Sequence, residues 1–291
     1  MSVTESRVEM PPGMAMSTSA TGPDLARLLM RPKGPPRGGV MIVHGLGEHI
    51  ARYIPLASML VEGGCVVTGV DFPGHARSPG GRGDLGSWEM VESIFDESVS
   101  LLRKEAGEHA PMGMVAHSMG GLLGLRYLQV RPEVFSRAWL SSPLLRPTGK
   151  RPPWLRPLVR ALASVVPGLV LSSGVRTSQC RVVTEGEAPD PHFHNRVTVG
   201  WGVEMWRIES RVWAELDRLA PELQLLMTQG EADEVCPPGH ARELFGKLGL
   251  RDKELKMLEG ELHEPLFGAQ AVMVQELVKD WFESRGLIAF D

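Results

Sequence analysis

Pro111-Met112-Gly113-Met114-Val115-Ala116-His117-Ser118-Met119-Gly120-Gly121-Leu122-Leu123, running on to Tyr127, is the stretch on which the reading of the fold turns. A short apolar run, Met112 to Val115, gives way to small and polar residues and then to apolar residues at helical spacing, the pattern of a strand, a sharp turn and a helix. A serine at such a turn stands clear of the backbone at the carboxyl end of a sheet, with the N-terminus of the next helix beneath it. Gly120 removes the side chain that would collide with the strand as the chain reverses, and Gly121 lets the helix approach the sheet. Ala116 holds the first position of the five-residue pattern G-x-S-x-G, where a methyl group is the smallest possible addition. The sharp reading is a nucleophile elbow centred on Ser118. The plain one is a glycine-rich helix start that Ser118 merely caps, and the rest of the chain has to decide between them.

Working outward, Val40-Met41-Ile42-Val43 is a short apolar run ending in His44-Gly45-Leu46-Gly47-Glu48-His49, a buried parallel strand feeding a glycine loop. Tyr53, Leu56, Ala57 and Leu60 follow at helical spacing and stop at Gly63-Gly64. Cys65 to Val70 is the next strand, leaving through Asp71-Phe72-Pro73-Gly74-His75. Trp88, Val91, Phe95, Val99 and Leu102 stripe a helix before the elbow. Residues 13–30, around Thr21-Gly22-Pro23-Asp24, read as an edge hairpin. The alternation of strand and helix predicts an α/β fold with a mostly parallel central sheet and helices on both faces.

Beyond the elbow, Ala138-Trp139-Leu140 is a strand that runs into Ser141-Ser142-Pro143, and there the alternation breaks. Residues 144–213 carry a helix striped by Leu158, Val159, Leu162, Val165 and Val166, an irregular stretch, and a second helix with Trp201, Met205, Ile208 and Val212 on one face. This segment is expected to be an inserted helical cap, leaving 1–143 and 214–291 as the core. Leu223 to Thr228 and Leu255 to Leu258 resume the sheet, and Val274, Leu277, Val278 and Trp281 stripe a closing helix.

The formal net charge of −4 in 291 residues offers no basic footprint, so nucleic acid is not expected as a partner. Cys65, Cys180 and Cys236 are too few and too scattered for a disulfide framework or a zinc site. They suit a reducing compartment, and residues 1–20 show no export signal, so the expected location is the cytoplasm. The longest greasy run, Ala161 to Leu171, is broken by Pro167-Gly168 and is shorter than the ~20 residues of a membrane helix.

A serine hydroxyl needs a histidine base, and the imidazole needs a carboxylate to fix its tautomer and stabilise its charged form. In doubly wound folds with such an elbow the order is serine, acid, histidine, so the partners belong at later strand exits. The exit after Leu223 to Thr228 reads Gln229-Gly230-Glu231-Ala232-Asp233-Glu234-Val235-Cys236. Asp233, third after the turn glycine, can fold back over the sheet, while Glu231 and Glu234 face solvent. Of nine histidines only His240 and His263 follow it; His240 opens a helix, and His263 follows the last strand, so His263 is the expected base. The oxyanion formed on attack needs backbone donors, and Met119 N–H and Leu46 N–H are placed to supply them. Gly45 and Gly47 do not begin a dinucleotide fingerprint, since Ile50 stands where a third glycine would be needed. Neither a metal nor a cofactor is expected.

His44-Gly45-Leu46-Gly47-Glu48-His49 with Arg52-Tyr53, Asp71-Phe72-Pro73-Gly74-His75, His117-Ser118-Met119-Gly120-Gly121, Gln229-Gly230-Glu231-Ala232-Asp233-Glu234-Val235-Cys236 and His263-Glu264 together resemble the monoacylglycerol lipase and lysophospholipase branch of the α/β-hydrolase fold. The resemblance covers nearly the whole chain apart from the leader and parts of the cap. It implies a cap over a lipid-binding pocket, the triad Ser118, Asp233 and His263, and oxyanion amides from Leu46 and Met119. The expected activity is hydrolysis of carboxylic esters of single-chain lipids, with Leu158, Leu162, Trp201 and Met205 touching the substrate from the cap and weak association of the cap with membrane surfaces. Two other readings compete: a peptidase or amide hydrolase with a charged pocket for a substrate amine, and a silent protein that only holds an acyl ligand.

Overall fold

The apolar runs Gly38–Val43, Cys65–Val70 and Met112–His117 are buried on every residue, as strands covered on both faces must be. Their side chains still alternate between two cores. Val40 and Ile42 join the layer that includes Leu56, Leu60, Val278 and Phe282. Met41 and Val43 join the layer that includes Val91, Phe95, Leu122 and Leu125.

A computed structural model describes residues 10–18, 23–146, 154–183, 186 and 188–290. Its strands are β1 (Met14–Ser17), β2 (Leu25–Met30), β3 (Gly38–Val43), β4 (Cys65–Val70), β5 (Met112–His117), β6 (Arg137–Ser141), β7 (Val170–Ser172), β8 (Arg196–Thr198), β9 (Gln224–Gly230) and β10 (Asp252–Leu258). Its helices are α1 (Ile54–Glu62), α2 (Trp88–Ala106), α3 (Met119–Val130), α4 (Leu155–Val165), α5 (Thr177–Cys180), α6 (Val199–Ala214), α7 (Pro238–Lys247) and α8 (Ala271–Ser284), with short 3₁₀ turns between some of them. Eight strands form one sheet in the order β1-β2-β4-β3-β5-β6-β9-β10. β1, β2 and β4 pair antiparallel, and every other neighbouring pair is parallel. The fold is that of an α/β-hydrolase. The expected edge hairpin is β1 and β2; Thr21 and Gly22 of its turn lie outside the described residues.

Strand order reverses at β3, which lies between β4 and β5. Crossovers leave on opposite faces there and open a crevice above the carboxyl ends of the strands, where open α/β sheets bind ligands. The loop after β3 and the turn after β5 both empty into it.

Between β6 and β9 the chain departs from the sheet and forms α4, the antiparallel pair β7 and β8, α5 and α6. Sequence periodicity missed the β7–β8 pair because strands of three residues are shorter than any period-2 pattern can reveal. α6 begins at Thr198, whose hydroxyl accepts from Trp201 N at 3.2 Å, a side-chain N-cap. The helix packs beside α3: the Trp201 indole N–H points at Met119 Sδ, 3.4 Å away, and Gln129 Nε2 donates to the Val212 carbonyl at 2.8 Å.

Candidate active site

Ser118 is the turn residue between β5 and α3, with φ 53° and ψ −119°. A non-glycine residue at positive φ is held there only by its surroundings. Ser118 N donates to Ser141 O at 3.0 Å, and Ser118 O accepts from Leu144 N at 2.8 Å, so the exit of β6 clamps the turn from both sides. The reversal brings Gly120 against β3 so closely that a Cβ there would lie 2.4 Å from the Val43 carbonyl oxygen and 2.6 Å from that of His44. Ala116, fully buried in β5, is accommodated because Gly124 faces it.

His263 Nε2 lies 2.8 Å from Ser118 Oγ, and His263 Nδ1 lies 2.8 Å from Asp233 Oδ2. The three residues come from loops after β5, β9 and β10, and Asp233 and His263 are almost completely buried. Asp233 is held on both oxygens: Oδ1 accepts from Val235 N and Cys236 N at 2.8 Å each, and Oδ2 also accepts from Gln229 Nε2 at 2.8 Å. The carboxylate therefore presents one fixed edge to the imidazole, giving Nδ1 the proton and leaving Nε2 as the acceptor for the serine hydroxyl. Glu231 and Glu234 are exposed; Glu231 pairs with Arg242, and Glu234 accepts a hydrogen bond from Gln179. His240 is partly exposed at the start of α7.

Burial opposes a charged His263, but the Cys236 sulfur and the Asp233 carboxylate favour it, and the net effect raises its pKa above 6.5. Cys236 is buried, which raises the pKa of its thiol. At neutral pH the charge that acts on the imidazole is thus the carboxylate of Asp233. Asp233, Cys236 and His263 also bring an oxygen, a sulfur and a nitrogen within 4.8 Å of one another. The carboxylate in that set is already saturated by two backbone amides, Gln229 and the imidazole.

Leu46 and Met119 flank the serine, and both line the cavity above it together with Gly45. Among the described residues, no backbone carbonyl accepts from either amide. The Leu46 loop is fixed from below by Glu48, whose Oε1 accepts from Gly45 N at 2.5 Å and from Tyr53 OH at 2.8 Å. Glu48 Oε2 accepts from Arg52 Nη1 at 2.8 Å, and Arg52 reaches on to both oxygens of Glu264, the residue after His263. Burial pushes the Glu48 carboxyl up, but Arg52, His117 and the Gly45 amide hold it below the ordinary value. This bridge between the Leu46 loop and the histidine loop was not read from the sequence. Glu48 and Arg52 stand at the i, i+4 spacing of an ion pair, which is the signal that could have found it.

His44 is buried and neutral, its pKa lowered to about 3 by burial. Its Nδ1 faces Gly45 O at 2.7 Å and its Nε2 accepts from Phe72 N at 3.0 Å. His49 pairs with Asp190 at 2.9 Å and His194 N donates to Gly47 O at 2.8 Å. A Cβ on Gly47 would fall 1.8 Å from the His194 carbonyl oxygen, so only glycine lets the inserted segment close onto this loop.

Of the four residues expected to touch substrate from the cap, Leu162 and Met205 line the cavity. Leu158 and Trp201 do not. Residues Leu158, Val159, Leu162 and Val165 span an arc of about 120° on a helix turning about 100° per residue, and only the side bearing Val159 and Leu162 faces inward. Leu158 is 59% exposed on the other edge. Trp201 is fully buried because its indole fills the seam between α6 and α3 beneath the cavity.

The fold and the elbow at Ser118 define an α/β-hydrolase. A model of the family described as "Serine aminopeptidase, S33" matches residues 34–270, and the chain belongs to that family. It is 31% identical over 237 residues to the monoglyceride lipase of Rattus norvegicus, covering 80% of this chain and 77% of the relative. It is 26% identical over 266 residues to the monoacylglycerol lipase of Mycolicibacterium smegmatis, covering 87% and 91%. Among solved structures, the monoacylglycerol lipase of Paleococcus ferrophilus superposes with a TM-score of 0.79 at 31% identity, covering 89% of this chain and 98% of that one. These relatives make the chain a carboxylic ester hydrolase.

With the imidazole pKa raised above 6.5, kcat/KM is expected to fall as pH is lowered, with a midpoint on the alkaline side of 6.5, because protonation removes the acceptor at Nε2. Asp233→Asn should move any residual midpoint downward, since the favourable charge is gone. A rate profile flat from about pH 5 to pH 8 would contradict a histidine base.

Proposed function

We propose that the chain hydrolyses esters of single-chain lipids such as monoacylglycerols through an acyl-enzyme on Ser118, with His263 as base and then acid and Asp233 orienting it. The observation that carries this reading is the continuous path Ser118 Oγ to His263 Nε2 and His263 Nδ1 to Asp233 Oδ2, both at 2.8 Å. His263 takes the hydroxyl proton as Oγ attacks the acyl carbon, and passes it to the departing glycerol oxygen. The amides of Leu46 and Met119 stabilise the tetrahedral oxyanion. Water activated by the same imidazole then releases the fatty acid.

An aminopeptidase needs a carboxylate free to receive a substrate amine. Glu48 and Glu264, the carboxylates beside the serine, are both engaged by Arg52, and the neighbouring cavity wall is largely apolar. Ester hydrolysis is therefore preferred to peptide hydrolysis, and the intact chain of three groups argues against a silent binding protein.

The segment between β6 and β9 acts as a cap. Its outer surface exposes Trp154 (65%), Leu158 (59%) and Val165 (78%) on one flank of α4, with exposed Arg156 and Arg160 on the opposite flank, and both apolar and cationic groups are suited to an anionic lipid surface. No described helix is long and apolar enough to cross a membrane, so the contact would be peripheral. It would bring the cavity mouth to the phase in which its substrate dissolves.

Ser118→Ala is expected to lower kcat on a monoacylglycerol by about 10⁴ to 10⁶ while leaving the circular dichroism spectrum and melting curve intact. Asp233→Asn should lose several orders of magnitude, and Glu231→Gln and Glu234→Gln little. Activity within tenfold of the parent for a folded Ser118→Ala protein sinks the assignment. Separately, the parent should co-sediment with phosphatidylglycerol vesicles in low salt, and the triple change Trp154→Ser, Leu158→Ser, Val165→Ser should abolish this. A parent that stays in the supernatant removes the membrane role.

A further inference from the structure

The cavity above Ser118 has two unlike limbs. Toward β7 and β8 its wall is mixed, with Ser172, Ser173 and Asn195 among Leu171, Val175 and Val197. Toward α4 and α6 it is apolar, through Leu144, Val159, Leu162 and Met205, until it reaches Glu209. On the lipid-ester reading above, an acyl chain lies along the apolar α4–α6 wall and the alcohol toward the mixed one. A carboxylate is out of place in an acyl channel.

The position of Glu209 can be measured along its helix. α6 runs beside α3 in the same sense, since Trp201 touches Met119 near one end of the pair and Val212 meets Gln129 near the other. Met119 adjoins Ser118, so distance along α6 is also distance from the serine. Glu209 stands eight residues beyond Trp201, about 12 Å further along the axis at 1.5 Å per residue. A fully extended hydrocarbon with bonds of about 1.52 Å and angles near 111° advances about 1.25 Å per carbon, so about ten carbons span that distance.

The Glu209 carboxylate feels two arginines without a hydrogen bond to either. Among the described residues, no hydrogen bond to it is found, and its pKa is raised by burial against the opposing charges of Arg156 and Arg146. Both guanidiniums are engaged elsewhere. Arg146 pairs with Glu243 at 2.8 Å and lies over the Trp213 ring at 4.6 Å, and Arg156 lies over the Trp206 ring at 5.7 Å. Glu209 is half-buried, and a carboxylate at the far end of the channel with no hydrogen bond from a described residue needs water. A methylene that advances past it must strip that water without supplying a hydrogen bond.

We propose that Glu209 is the end stop of the acyl compartment, a specificity-determining residue that limits productive binding to acyl chains of about ten carbons. Up to that length each added methylene is buried against apolar wall and should raise kcat/KM about fourfold. Beyond it the gain stops, because the next carbons meet a hydrated carboxylate.

The test is the chain-length profile of kcat/KM on 1-monoacylglycerols with acyl chains of 6 to 16 carbons, each kept below its micelle concentration, for the parent, Glu209→Leu and Glu209→Gln (chain lengths chosen to bracket about ten carbons). The parent profile should rise and then level or fall near ten carbons. Glu209→Leu should raise the ratio of the longest to the shortest substrate at least about tenfold. Glu209→Gln, which keeps the shape and removes the charge, should raise it by less. A parent profile that climbs to the longest chain, or a ratio unmoved in Glu209→Leu, overturns the inference while leaving the esterase reading intact. A folded parent that hydrolyses none of the series overturns the esterase reading and this inference with it.

Discussion

Everything at the site depends on the strained turn at Ser118. A residue at φ 53° outside glycine costs on the order of 1 to 3 kcal/mol, and the surrounding structure holds it there. The carbonyl and amide of Ser118 are both tied to the exit of β6, and α3 is pressed against β3 at Gly120 with no room for a side chain. The serine oxygen is lifted above the carboxyl edge of the sheet, and the first free amides of α3 lie beneath it. The switch of strand order at β3 opens the crevice into which that oxygen points.

The second constraint is the buried ion cluster of Glu48, Arg52 and Glu264. It joins two loops that must keep a fixed distance, one carrying Leu46 and the other His263. Removing Arg52 would leave Glu48 buried without its cation and Glu264 with only Arg181, 3.8 Å away, and loss of one partner of a buried pair costs about 3 to 5 kcal/mol. The cluster also neutralises the two acids nearest the serine. Geometry and specificity thus share one device: the same guanidinium spaces the loops and occupies the two acids beside the serine. Above it the segment between β6 and β9 is seated directly on the Leu46 loop, where His194 N donates to Gly47 O.

Much of this was legible in the sequence because the signals were strong where packing was simple. Runs buried on both faces announced β3, β4 and β5, and the stripes ending in Gly63-Gly64 or beginning at Trp88 announced α1 and α2. Ser118, Asp233 and His263 were found by chain order at strand exits, and the structure brings their side chains together. What was not legible lay where one residue type serves several ends. Tyr53 reads as part of a helical stripe, yet its hydroxyl donates to Glu48. Trp201 belongs to an apolar face, but the identity of that face, seam or cavity wall, depends on the rotation of α6 against α3. Leu158 and Val159 are adjacent in sequence and about 100° apart around α4, and only Val159 lines the cavity. The strands β7 and β8 are too short for a period to show. Gln229, which fixes the Asp233 oxygen that faces His263, carries no signal of its own in the sequence.

The central claim is that Ser118 is the nucleophile and that His263 activates it. Labelling with a fluorophosphonate, followed by mass spectrometry of the tryptic peptides, tests this most directly, because the reagent reacts only with a serine whose proton has an acceptor in place. The expected result is one adduct per chain, on Ser118, formed rapidly in the parent and lost in a folded His263→Ala protein. An adduct on another residue, or labelling of Ser118 at an unchanged rate without His263, would contradict the account.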